Sequence, residues 1–304
     1  MEISAHAKIN LFLEVLGRRP DGFHEIRSVL APITLADRLA IEPTDGLLEL
    51  LTPDQVQLEG MPDPVALCPA QENLVFQAAR LLREKTGCRQ GARISLEKLV
   101  PVAGGLGGGS ADAAAVLTAL NRLWKTGLSR TALMELSSRL GCDIPALVHG
   151  GAVCMTGRGE LVQPVQWRAA WRPWVLLVNP GFGVSTGDIY GRYRPDLTSA
   201  AKKTTFEDLL AALKGGDAQG LAAGLHNDLQ STVFDKYPLL EMLAGRLVQL
   251  GAAAVLLSGS GATLFALVRS EAHGRELAAE LRRAMDCQLW TSVAQIAGDL
   301  RPEF

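Results

Sequence analysis

Between residues 100 and 115 the chain reads Val100-Pro-Val-Ala-Gly-Gly-Leu-Gly-Gly-Gly-Ser-Ala-Asp-Ala-Ala-Ala115. Gly104, Gly105, Gly107, Gly108 and Gly109 fill five of six consecutive positions. Without Cβ atoms, such a backbone turns through positive φ and approaches another group closely. The residues before it, Ala92-Arg-Ile-Ser-Leu-Glu, alternate like a strand. Those after it, with apolar Ala113, Val116, Leu117, Leu120, Leu123 and Trp124, predict a helix starting near Ser110 and ending before Gly127. A strand, a glycine loop and a helix make an anion cradle, in which loop amides converge and the positive end of the helix dipole faces the ligand. The loop is expected to be exposed.

Two common cradles are excluded by spacing. A Walker A loop ends in Gly-Lys-Ser/Thr, and no lysine lies between Lys98 and Lys125. The dinucleotide fingerprint needs a third glycine where this chain has Ser110 or Asp112. The remaining alternative to phosphate binding is a structural turn. Five glycines cost ~0.5–1 kcal/mol each in unfolded-chain entropy, more than a turn requires.

Length and composition bound the rest. With 304 residues and 48% hydrophobic content, the chain is long enough for two domains with sizeable cores. No run of about 18 uncharged apolar residues is present, so no membrane span is expected. The start, Met-Glu-Ile-Ser-Ala-His-Ala-Lys, puts an acid where a signal peptide needs a basic region. The net charge is -2 and only three tyrosines are present, which argues against a nucleic-acid surface. Five cysteines without a Cys-x-x-Cys pair, and histidines without His-x-x-x-His spacing, argue against a disulfide frame or a protein-held transition metal. A reducing cytoplasm fits this usage.

The rest of the chain supplies the frame. Residues 3 to 15 alternate as a half-buried strand whose period of two puts Lys8 and Asn10 on one face. Turn chemistry at Gly17-Arg-Arg-Pro-Asp-Gly22 leads to a second strand from Phe23. Short strands follow at Leu39, Leu47 and Val56. Asn73 caps a helix that stops at Gly87, and Ser129 opens one expected to end at Gly141. Asp143, two residues before Pro145, reads as a helix N-cap with proline in the first turn. The segment from Gln163 to Pro173 is the expected boundary, giving domains 1–165 and 166–304. Beyond it the order is strand, several helices, two strands joined by Ser258-Gly-Ser-Gly261, a helix and a last strand. This β-α-β-β-α-β order predicts an α+β, ferredoxin-like sandwich. A glycine turn in each domain suggests a cleft between them.

Ala7-Lys-Ile-Asn-Leu, Pro101 to Ala111 and Leu257-Ser-Gly-Ser-Gly-Ala together resemble the three motifs of the GHMP kinase superfamily, which phosphorylates small alcohols with ATP. Pro20-Asp-Gly-Phe-His-Glu, Gly141-Cys-Asp-Ile-Pro and Asn227-Asp-Leu are similar to one branch, whose acceptor carries a cytidine diphosphate group and is phosphorylated on its 2-hydroxyl in non-mevalonate isoprenoid precursor synthesis. The motifs run in order from residue 7 to 262. Two positions depart from the branch: Phe23 stands where tyrosine is frequent, and Ala103 where glycine is frequent. The latter is expected to alter one loop torsion rather than the cradle.

The resemblance implies a two-domain fold, with an N-terminal domain like ribosomal protein S5 domain 2 and a ferredoxin-like C-terminal domain. It implies ATP as co-substrate, with Mg²⁺ whose ligands stay open, and a small-molecule partner with a cytidine diphosphate handle. It also implies a cytoplasmic monomer or weak homodimer that takes neither nucleic acid nor membrane. ATP would lie against Pro101, Val102, Ala103, Gly104, Gly105, Leu106, Gly107, Gly108, Gly109, Ser110 and Ala111. Asp143 would be the general base and Lys8 its charge partner. On spacing alone, Asp143 is a cap and Lys8 a solvated strand lysine. Asn10, Phe23, His24 and Tyr190 would hold the acceptor, the aromatic rings sandwiching cytosine and His24 meeting the base edge. Asp112 reads as a dipole-complementing acid, a rival base or an aid to Mg²⁺. Another GHMP kinase, of homoserine or mevalonate type, and a non-catalytic nucleotide-binding module are the alternatives.

Overall fold

The computed structural model describes residues 1–194 and 205–300. Two long strands open the chain, β1 (Glu2–Arg18) and β2 (His24–Thr44). Three short ones follow, β3 (Leu48–Leu51), β4 (Gln55–Val56) and β5 (Val65–Ala66). Then come α1 (Leu74–Thr86), β6 (Gly91–Glu97), α2 (Gly108–Leu123), α3 (Arg130–Ser137), α4 (Ile144–His149), β7 (Val153–Thr156) and β8 (Leu161–Pro164). The second half holds β9 (Trp174–Asn179), α5 (Thr186–Arg192), α6 (Phe206–Gly215), α7 (Ala218–Gly224), β10 (His226–Asn227), α8 (Gln230–Lys236) and α9 (Pro238–Gln249). It closes with β11 (Ala254–Leu257), β12 (Leu264–Val268), α10 (Glu271–Met285) and β13 (Trp290–Gln295).

Local signals set most helix ends. The Asn73 side chain accepts from the Val75 amide, and Gly87 ends α1 in the left-handed region at φ 67°. Ser129 caps α3 as expected, but that helix stops at Ser137, short of Gly141. In α2 the first turn begins at Gly108, two residues before Ser110, because Gly107 takes a φ of 67° just ahead of it.

The expected second and third strands are one. β2 runs unbroken through Pro32, a residue that cannot donate to a ladder and so reads as a break in sequence. The interruption is absorbed as a register shift against β1 between His6 and Lys8, with another between Asn10 and Phe12. Such irregularities re-aim side chains, and these two bracket Lys8 and Asn10.

The first sheet has the order β10-β1-β2-β6-β3, with β7 on β2 and β8 on β7. One face packs on α1, α2, α3 and α4 around residues such as Ile41, Leu82, Ile94 and Leu117. The second sheet, order β11-β12-β9-β13, is antiparallel throughout, with the strand arrangement expected of a ferredoxin-like sandwich. Its helical side packs Leu240, Leu243, Leu277 and Leu281 on Leu176, Leu264 and Ala266. A core of Ile9, Leu11, Phe12, Leu177, Phe206 and Phe265 joins the two sheets. β10, from the second half, pairs in parallel with β1. We propose the division of the chain near residue 165, between β8 and β9.

This joint core changes the reading of β1. The alternating pattern predicts one wet face, yet every residue from Ala7 to Leu13 is buried, the polar pair included: Lys8 and Asn10 are each only 4% exposed. Gly107 and Asp143 of the first half and Gly259 of the second enclose the polar pair, while the second half packs on Ala7, Ile9 and Leu11.

Candidate active site

The glycine loop lies against both halves of the molecule. The Lys8 amide donates to the Leu106 carbonyl at 2.9 Å, which ties the loop to β1. On the other side, Ser258 Oγ donates to the Gly105 carbonyl at 3.0 Å, and the Thr263 amide donates to the Gly104 carbonyl at 3.1 Å. Gly105 has φ 78°, and a Cβ there would stand 2.2 Å from the Ser258 carbonyl oxygen. The expectation of an exposed loop is therefore corrected in part: Gly104, Leu106 and Gly108 are buried, while Ala103 and Gly109 stay exposed. Gly104 lies against Thr263 and Asn179 of the second half, and Gly108 against Lys98 and Val100. The Ser-Gly-Ser-Gly turn is held in its turn by Asn227, whose Nδ2 donates to the Leu257 and Gly259 carbonyls, both at 2.8 Å.

Ala103 keeps φ at 53°, the left-handed region. The alanine holds the torsion a glycine would favour, so the departure brings strain there rather than a changed torsion.

Lys8 and Asp143 meet beside this loop, where Lys8 packs on Gly107. Lys8 Nζ lies 3.3 Å from Asp143 Oδ2 and donates to Asn10 Oδ1 at 2.6 Å. Asn10 Nδ2 donates to Ser28 Oγ at 3.0 Å, which donates to the Phe12 carbonyl at 2.7 Å. A buried polar chain thus fixes the ammonium. The methylene stem of Lys8 packs on Gly107, where a Cβ would come within 3.0 Å of Cγ and Cε. Asp143 sits at the head of α4, with Pro145 in the first turn, but its side chain makes no capping hydrogen bond. Its carboxylate turns to Lys8 instead and stays 35% exposed, against 5% for the lysine side chain.

A cleft of about 1410 Å³ runs from these residues along the loop and out to an aromatic wall. On that wall the His24 and Tyr190 rings lie 5.2 Å apart, tilted by 34°, and Tyr193 meets His24 edge-on at 6.2 Å. Burial lowers the His24 pKa, and the positive charge of Arg18 adds to the effect. Burial likewise raises the Tyr190 phenol, with the Asp143 carboxylate contributing. Phe23 stands apart from this pair. It is 51% exposed, and the Arg158 guanidinium lies 5.0 Å from its ring centroid. His24 and Tyr190 are brought together; Phe23 and Tyr190 line the same cleft without a ring contact between them.

Several site residues escape the sequence reading. Arg158 and Tyr193 carry no local motif. Asp37 and Lys98 escape it too. With Asp112, read in the sequence as a dipole-complementing acid, rival base or aid to Mg²⁺, they form a buried cluster beside the loop. In it Lys98 Nζ pairs with Asp37 Oδ2 and donates to Asp112 Oδ2 at 2.8 Å. Burial pushes the Asp112 carboxyl up to about 8; Lys98 opposes this and the Asp37 charge reinforces it. One lysine cannot neutralise two carboxylates. Burial also works against the Lys98 ammonium, but the two acids outweigh it and raise its pKa.

Comparison with known proteins agrees with this geometry. Residues 73–151 match the GHMP kinases N terminal domain, and residues 209–287 match the GHMP kinases C terminal family. A 4-diphosphocytidyl-2-C-methyl-D-erythritol kinase of Pelotomaculum thermopropionicum is 44% identical over 282 residues, covering 92% of this chain and 93% of that relative. One of the same name from Symbiobacterium thermophilum is 40% identical, covering 93% and 95%. A crystal structure of 4-(cytidine 5'-diphospho)-2C-methyl-D-erythritol kinase superposes with a TM-score of 0.80 at 34% identity, covering 98% of this chain and all of that one. The loop, the Lys8–Asp143 pair and these similarities agree: the chain belongs to the GHMP kinases, among the 4-diphosphocytidyl-2-C-methyl-D-erythritol kinases, and is an ATP-dependent phosphotransferase.

Proposed function

We propose that the chain transfers the γ-phosphoryl group of ATP to the 2-hydroxyl of 4-diphosphocytidyl-2-C-methyl-D-erythritol, a step of non-mevalonate isoprenoid precursor synthesis. The observation that carries this reading is the Lys8–Asp143 pair beside the glycine loop, in a cleft that His24, Tyr190 and Phe23 also line. The triphosphate rests on the loop amides and the N-terminus of α2, with residues 101–111 along it. The acceptor hydroxyl lies by Asp143, and its cytosine reaches Phe23, His24 and Tyr190, with Asn10 beside the alcohol.

Phosphoryl transfer needs positioning and charge stabilisation more than covalent chemistry. As the acceptor oxygen bonds to the γ-phosphorus and the bond to the ADP oxygen breaks, Asp143 accepts the hydroxyl proton. A carboxylate in that place is worth about 10²–10⁴-fold. Lys8 orients the Asp143 carboxylate and faces the charge on the transferring group. Asn10 and Ser28 hold the lysine on this task.

Among the described residues no group of three or more His, Cys, Asp or Glu stands ready to hold a metal. Mg²⁺ would arrive with the triphosphate, whose phosphate oxygens are the hard ligands it takes. Ser110, which lines the cleft beside the loop, offers a hydroxyl oxygen that leaves Asp143 free for the proton. When bound, the ion neutralises charge on the phosphates.

The test is ADP release measured by a coupled assay over a panel of acceptor alcohols, each with and without the cytidine diphosphate group. Turnover confined to the cytidylylated methylerythritol is expected. Equal use of free methylerythritol phosphate, or preference for homoserine or mevalonate, would contradict the reading.

A further inference from the structure

Lys98 is the first residue after β6 and stands where the chain leaves the sheet for the glycine loop. The next two amides, of Leu99 and Val100, both donate to Asp37 Oδ1, at 2.6 and 2.8 Å. Asp37 belongs to β2 and is fully buried, so the start of the loop is pinned to the first sheet. Asp112 belongs to α2, just past the end of the loop, and takes a hydrogen bond from the same lysine. Lys98 Nζ also lies 3.2 Å from the point where a Gly108 Cβ would sit, against the first residue of the helix. Both ends of the loop therefore meet at one ammonium.

Stability alone accounts poorly for this cluster. Asp37, Lys98 and Asp112 are each at least 92% buried, and removing such charges from water costs about as much as their attraction returns. The stoichiometry adds to the cost: one lysine faces two carboxyl groups, and Asp112 Oδ1 is buried without a hydrogen-bond partner. Apolar side chains of the same size would hold the sheet to the helix without that burden. What they would not do is fix the distance and angle between strand end and helix start, which ionic hydrogen bonds do.

We propose that Asp37, Lys98 and Asp112 are positioning residues for the nucleotide loop, tying its start to its helix so that the glycine amides already converge before the triphosphate arrives. The proposal rests on the reading of the loop as the triphosphate cradle. It concerns the donor side only.

The test compares Lys98→Met and Asp112→Leu, which remove the tie, with Asp112→Asn, which keeps an oxygen for Lys98. Three quantities are read on the full chain: hydrogen exchange of the amides from 102 to 109 without nucleotide, calorimetric ATP affinity, and KM for ATP and for the acceptor. Lys98→Met and Asp112→Leu are expected to speed loop exchange and raise the ATP dissociation constant, each about tenfold or more. Exchange in β9 and β12 and the acceptor KM should stay within about twofold of wild type. Asp112→Asn should resemble wild type on all three. Unchanged loop exchange in folded Lys98→Met would overturn the proposal, as would ATP and acceptor weakening together. If Lys98→Met does not fold, equal behaviour of Asp112→Leu and Asp112→Asn would overturn it. Wild-type protein that binds no ATP would instead sink the kinase reading, and the exchange data would still judge the clamp.

Discussion

Asp143 heads helix α4 yet its side chain caps nothing; its Oδ2 lies 3.3 Å from Lys8 Nζ, beside the glycine loop. A lysine from the first strand and an acid from a helix more than 130 residues later meet because β1 is buried on both faces. Buried, Lys8 has two polar partners in reach, Asn10 Oδ1 and Asp143.

Lys8→Met removes the ammonium and keeps the stem. Asn10 Oδ1 is then left without its 2.6 Å donor, so a stability loss of about 1–3 kcal/mol is expected alongside a fall in turnover. Acceptor binding should change little. Urea unfolding and steady-state kinetics on one preparation check both; a variant as stable and active as wild type would put the lysine outside the site.

Gly105→Ala and Gly107→Ala separate two jobs of the loop. At Gly105 a Cβ would stand 2.2 Å from the Ser258 carbonyl, which is backbone and cannot yield. That variant should lose stability through the contact between the halves. At Gly107 the Cβ meets the Lys8 stem at 3.0 Å, a side chain that can shift. Gly107→Ala should therefore keep more of its stability and lose turnover as the ammonium is displaced. Thermal midpoints and kcat for the pair decide it; the reverse order would contradict the geometry.

Asp112 makes stability depend on pH. Its folded pKa is raised, to about 8 from an ordinary 3.8, so the folded chain holds a proton that the unfolded chain has released across that window. The contribution is fully present below 3.8 and is lost as pH rises towards 8. Asp112→Asn should flatten this slope. Urea midpoints between about pH 5 and pH 8 give the comparison, and equal slopes in the two proteins would show that the group does not titrate there.

Much of the fold could be read from the chain because its signals are local. Asn73, Gly87 and Ser129 mark helix ends by their own backbone preferences, and the glycine run lies between a period of two and a period of 3.6. Pro32 hid the continuity of β2, since a ladder that skips one donor looks broken in sequence. The burial of Lys8, the docking of Ser258 on Gly105 and the cluster of Asp37 with Lys98 all depend on contacts between distant segments. Arg158 shows the same limit. Nothing in Gly157-Arg-Gly159 predicts that its guanidinium reaches the Phe23 ring.

That placement bears on the acceptor. Phe23→Ala should weaken acceptor binding by about 1–3 kcal/mol, the worth of one stacking face, and leave ATP affinity alone. Arg158→Ala, which removes both the support of that ring and a cation beside the cleft, should act in the same direction. Phe23→Tyr should be near neutral. Calorimetry with each ligand separately is the measurement, and parallel loss of ATP and acceptor binding would speak for a folding defect instead.

The central claim is that Asp143 takes the proton from the acceptor hydroxyl, and single-turnover transfer of labelled γ-phosphate tests it most directly. Asp143→Asn keeps the shape of the side chain, and because wild-type Asp143 makes no capping bond, the variant gives up none. With both substrates saturating and their affinities near wild type, the transfer rate should fall by about 10²-fold or more. Transfer at the wild-type rate would contradict the account and leave Asp143 as a charge partner of Lys8 with no part in the chemistry.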